Sequence, residues 1–157
     1  MSFDRVVTGH QPDFPARTAD QGGFGYAKHQ VTQKAGNQLQ VSFMEIPPGR
    51  SAFPYHWHEG VTEAYVILSG RGRVRTPDAE FDVAPGQVVV FPPGPAGAHR
   101  MTNTGDEPLR YVDLDTTADP DVCHYPDSGK SAKISSHGTA IWRDADEVGY
   151  YDGEPDA

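Results

Sequence analysis

Apolar residues along this chain gather in short runs that glycine and proline interrupt about every ten positions. Before residue 115 none of these runs shows the three-to-four spacing of a helix. Residues 39–46 alternate and stop at Pro47-Pro48-Gly49. Residues 72–75 and 80–83 flank Pro77-Asp78 as a hairpin does, residues 109–114 read as a further strand, and residues 24–32 as a first one. Many short strands joined by tight turns predict an all-β fold of the sandwich or barrel kind. Residues 1–23 hold Pro12, Pro15, Gly22 and Gly23 with little periodicity and read as an extended arm, and residues 116–157 as an irregular tail. A chain of 157 residues is expected to form one domain, 1–157, with its barrel core at about 38–115.

Two runs depart from simple alternation. In residues 63–68 one face carries Glu63, Tyr65 and Ile67 and the other Ala64, Val66 and Leu68, and residues 88–91 have no polar face. A strand that is apolar on both sides needs cover on both. A barrel lumen covers one; the arms or a second subunit must cover the other. A homodimer packed through sheet faces is the expectation.

Charge narrows the partners. The net charge of −9 does not suit the clustered cations that nucleic acids require. No apolar run is long enough to span a bilayer and no signal peptide is legible, so the cytoplasm is the expected compartment and no membrane partner is expected. Cys123 is the only cysteine, so no internal disulfide can form.

The chemistry lies in two stretches. In Pro54-Tyr-His-Trp-His-Glu-Gly-Val-Thr-Glu63, His56 and His58 are two positions apart and share one strand face. Glu63 follows at an odd separation from His58, which an unbroken strand would turn to the opposite face; Glu59-Gly60 permits a turn that restores it. The second stretch, residues 86–103, runs through a Pro/Gly-dense turn to His99. Three imidazoles and a carboxylate suit a divalent transition metal (Fe, Mn, Ni, Co or Zn) better than Ca²⁺ or Mg²⁺.

These stretches resemble the two motifs of the cupin superfamily. Gly49, His56, His58, Glu63 and Gly70 follow the first; Gly86, Pro92, Gly94, His99 and Asn103 follow the second. Two spacings are longer than the usual pattern, by one residue before His56 and by two before His99, and both additions fall in turns. The segment Tyr125-Pro-Asp-Ser-Gly-Lys130 and the closing Tyr150-Tyr151-Asp152-Gly153-Glu154 resemble a group of short bacterial cupins, some of them called sugar-phosphate isomerases. The resemblance implies a double-stranded β-helix (jelly roll) and a metal held by His56, His58, Glu63 and His99. It also implies a small polar or carbonyl-containing ligand and isomerase-, dioxygenase- or lyase-type chemistry. A non-enzymatic sensing or storage module, or a barrel with a purely structural metal, is the alternative. Tyr65, on the Glu63 face, is the candidate catalytic side chain. Convergence of Lys28, Arg73 and Arg110 on the metal would favour a phosphate or carboxylate substrate.

Overall fold

A computed structural model describes residues 9–13, 17–32 and 38–155. The extended arm expected at 1–23 therefore lies largely outside the described residues. Its last part is a strand, β1 (Arg17–Gln21), paired antiparallel with β2 (Phe24–Gln30). The chain continues through β3 (Leu39–Ile46), β4 (Trp57–His58), β5 (Glu63–Ser69), β6 (Gly72–Arg75), β7 (Glu80–Val83), β8 (Val88–Phe91), β9 (Arg100–Asn103) and β10 (Leu109–Thr116). Three further strands follow: β11 (Asp121–Tyr125), β12 (Lys130–Ser135) and β13 (Gly138–Arg143).

The strands form a six-stranded sheet in the order β1-β2-β3-β10-β5-β8, a three-stranded sheet β7-β6-β9 and a four-stranded sheet β13-β12-β11-β4, all with antiparallel pairing. This is the expected all-β architecture, a double-stranded β-helix. Its core lies between the first two sheets. Met44, Ile46, Tyr65, Ile67, Val74, Leu109 and Tyr111 are buried there, each contributing about 1.5–3 kcal/mol by leaving water. Alternation does the sorting: along β5, Glu63, Tyr65 and Ile67 face inward, and Ala64, Val66 and Leu68 face outward and are half-buried.

Two motif residues explain themselves by geometry. Gly70 has a φ of +81°, and a Cβ there would lie 2.6 Å from the Pro108 carbonyl oxygen. Asn103 donates to the Ile46 and Glu107 carbonyls and accepts from the Gly105 N–H, which closes the loop before β10.

The tail corrects one expectation. Residues 121–143 are not irregular: β11, β12 and β13 form a sheet that joins the barrel through β4, with Cys123 opposite His58 and His124 opposite Trp57. In β11, Asp121, Cys123 and Tyr125 alternate with Val122 and His124. Among the described residues no helix is long and apolar enough to cross a membrane.

Candidate metal centre and its cavity

His56 and His58 reach the site because the chain between β3 and β5 runs as a short bridge rather than a long strand. His56 pairs through its backbone with His99, and β4 begins one residue later. The bends at Glu59 and Gly60 break the strand before Glu63. The odd spacing is absorbed there, and the carboxylate turns inward.

The four side chains meet. Glu63 Oε2 lies 3.2 Å from His99 Nε2, 3.6 Å from His56 Nε2 and 3.7 Å from His58 Nε2. Each ring is fixed from behind: Nδ1 of His56 donates to the Pro54 carbonyl, Nδ1 of His99 to the Gly97 carbonyl and Nδ1 of His58 to the Asp121 carboxylate. A ring that donates from Nδ1 presents its Nε2 lone pair when neutral. Metal–nitrogen bonds of about 2.1 Å place adjacent donors about 3 Å apart. The observed separations fit that arrangement after a small inward shift. The carboxylate–imidazole contact from Asp121 is the support that metal-binding histidines commonly have.

Electrostatics agree with a cluster built around positive charge. Burial opposes ionisation of Glu63, yet the imidazoles of His99, His56 and His58 outweigh it and hold the carboxyl below the usual range. Burial also works against a charged His58, but the hydrogen bond to Asp121, then Cys123 and Glu63, push it up to about 11. In the metal-free protein this ring carries a proton that a metal must displace. His99 goes the other way, lowered to about 4 chiefly by burial, with Glu63 opposing and His56 assisting.

Tyr65 donates its hydroxyl to His99 Nε2 at 3.0 Å, the same nitrogen that faces Glu63, so an ion bound there would displace this hydrogen bond; the side chain is buried and outside the lining of the cavity. Burial keeps its phenol protonated. Phe91 stacks on the other side of His99, ring centroids 3.6 Å apart.

A cavity of about 240 Å³ opens in front of the cluster. His56, His58 and Glu63 line one end; Lys28, Gln40, Asp113 and Asp115 line another part. Lys28 is the only lysine or arginine among the described residues of that lining, and it pairs with Asp113 at 3.2 Å. Arg73 pairs instead with exposed Asp82, and Arg110 with Glu45. The three cations do not converge. Asp115 is pushed up to about 9 by burial and by the neighbouring Asp113 and Glu63, and Asp113 is raised by burial against the pull of Lys28.

Sequence reasoning missed the contribution of β11. Asp121 anchors His58, Tyr125 stacks over His56 with centroids 6.1 Å apart, and Cys123 places its sulfur within 4.8 Å of ring nitrogens of both. The legible signal was alternation in Asp121-x-Cys123-x-Tyr125. The segment after it is clamped over this end of the molecule: Asp127 accepts two hydrogen bonds from Arg75, at 2.7 and 3.0 Å.

Residues 42–115, just under half of the chain, match the cupin domain family. Over 63 residues the chain is 41% identical to glucose-6-phosphate isomerase of Pyrococcus abyssi, a match covering 37% of this chain and 32% of that protein. The chain thus spans about a third of the length of the curated relatives it matches. Among solved structures it is similar to a protein described as a candidate sugar phosphate isomerase from Acidithiobacillus ferrooxidans, at 27% identity, TM-score 0.71 and 81% coverage of each chain. It also shares its fold with a sugar phosphate isomerase of the cupin superfamily from Silicibacter pomeroyi, at 20% identity, TM-score 0.69, and 80% and 82% coverage.

Proposed function

We propose that the protein holds a divalent transition metal on His56, His58, Glu63 and His99 and acts on a small, polar, carbonyl-containing metabolite in the adjoining cavity. The observation that carries this reading is the convergence of three Nε2 atoms on one carboxylate oxygen, each ring anchored through its other nitrogen. A set without cysteine among its four closest donors, opening on a cavity, differs from the closed sulfur-rich sites of structural zinc. The resident ion would supply Lewis acidity, polarising a carbonyl.

The chain's own residues do the rest. His56, His58 and Glu63 border the cavity and His99 backs them, so a ligand approaches from one side only. Tyr65 contacts Nε2 of His99 and lies outside the cavity lining, so it acts on the ring and not on the ligand, which makes it a positioning residue. Asp113 and Asp115 stand where a proton can be exchanged with a substrate held at the centre, which favours redox-neutral isomerisation or lyase chemistry. The likeness to proteins called sugar phosphate isomerases points the same way. Metal analysis of protein purified without chelator is expected to give one ion per chain, and His58→Ala is expected to lose it. Wild-type protein free of stoichiometric metal overturns the reading.

The outer face of the six-stranded sheet supports a homodimer. Val88 and Val90 on edge strand β8 are each 58% exposed, beside half-buried Val66, Leu68 and Val112. A second copy laid on this face would remove them from water. Sedimentation at micromolar concentration is expected to show the dimer, and Val88→Asp with Val90→Asp is expected to split it; a wild-type species of one chain alone contradicts it.

A further inference from the structure

The wall of the cavity formed by β10 makes a demand on the ligand. Asp113 is 2% exposed, and its Oδ2 accepts from the Lys28 ammonium. Asp115 Oδ2 accepts from the Gln40 amide at 3.2 Å. The other oxygen of each, Oδ1, is buried and has no donor among the described residues apart from a proton that the two carboxyls can share, and both side chains line the cavity. A buried acceptor left without a donor costs about 1–3 kcal/mol, more when it is charged. A proton shared between the two carboxyls satisfies one lone pair of each and leaves the rest open.

We propose that Asp113 and Asp115 bind adjacent hydroxyl groups of an unphosphorylated polyhydroxy carbonyl compound, a free aldose or ketose, whose carbonyl end lies at the metal centre. Hydroxyls donate to carboxyl groups, and two neighbouring carboxyls in the cavity wall match two neighbouring hydroxyls. Lys28 and the Gln40 amide hold the carboxyls in place and can donate to the same chain of hydroxyls.

Charge excludes the phosphorylated counterpart. The cavity is lined by the carboxyl groups of Glu63, Asp113, Asp115 and Asp121 and by one ammonium, which is already paired. Adding a divalent ion leaves no surplus of positive charge for a phosphate dianion. Phosphate recognition uses convergent arginine or lysine donors or a helix N-terminus, and this lining offers neither. The names of the similar isomerases therefore do not fix the ligand of this chain. Lys28 also stands against a second metal on Glu63, Asp113 and Asp115, because its ammonium already occupies Asp113.

The inference rests on the metal-centre reading above, and the test separates the two. Metal content is measured first, on the wild type, Asp113→Asn and Asp115→Asn; all three are expected to hold one ion, because neither aspartate is among the four donors. Binding of D-glucose, D-fructose, D-mannose and their 6-phosphates to the metal-loaded proteins is then followed by calorimetry. At least one free sugar is expected to bind at least tenfold more tightly than its 6-phosphate. Each asparagine variant is expected to lose about tenfold or more in that affinity while keeping its metal. Tighter binding of the phosphates, no saturable binding of any free sugar by the metal-loaded wild type, or unchanged affinity in both variants overturns the proposal and leaves the metal centre standing. A second ion per chain that disappears in Asp115→Asn also overturns it, in favour of a two-metal site. Wild type without metal refutes the reading beneath it.

Discussion

The two ends of the cavity are built on opposite plans. At the imidazole end every ring is tied down through its far nitrogen, to Pro54, Gly97 and Asp121, and the near nitrogens face one carboxylate oxygen. At the β10 end the buried Oδ1 atoms of Asp113 and Asp115 have no donor among the described residues beyond a proton they can share. The first end is organised before anything binds, which lowers the ordering cost of capturing an ion. The second is left incomplete by the fold. The difference teaches which part of a pocket is machinery and which part is a template for its ligand.

The comparison breaks most visibly at Asp121. If the imidazole end depends on anchoring from behind, Asp121→Asn weakens metal binding by about 10–100-fold, read by competition with a chromogenic chelator. Asp115→Asn, at the other end, leaves that affinity within about threefold. Equal effects of the two changes would erase the distinction.

A smaller effect concerns pH. Asp115 is raised from 3.8 to about 9, so the folded metal-free protein holds this proton where the unfolded chain has released it. The folded state binds more protons throughout that window, and stability falls as pH rises from 3.8 toward 9. Asp115→Asn removes this contribution. Chemical denaturation of chelator-treated protein across the window should give a shallower decline for the variant. Identical slopes would show that Asp115 titrates normally.

The smallest effect tests whether every unpaired group marks a ligand. The Tyr111 hydroxyl is also buried without a partner, but Tyr111 belongs to the core, 4.7 Å from Tyr65 centroid to centroid, and does not line the cavity. Tyr111→Phe should change stability by less than about 1 kcal/mol, or raise it, and leave ligand binding alone. A loss of sugar binding in this variant would mean that the cavity reaches further into the barrel than its lining indicates.

Much of the fold was legible because strand alternation and turn residues are local. The hairpin around Pro77-Asp78, the inward face Glu63-Tyr65-Ile67 and the turn at Gly60 all follow from spacing within a dozen residues. β11 was not legible in the same way. It is only five residues long, and it pairs with β4, more than sixty residues upstream.

The sequence by itself determined an all-β chain and nominated His56, His58, Glu63 and His99, since residue type and periodicity suffice for both. Only the tertiary structure decided what stands around them. It put Asp121 behind His58, placed Tyr65 against His99 Nε2 and outside the cavity lining, and left Arg73 and Arg110 away from it while admitting Lys28. Those outcomes depend on which strands become neighbours and in what register, and register is fixed by packing across the whole sheet.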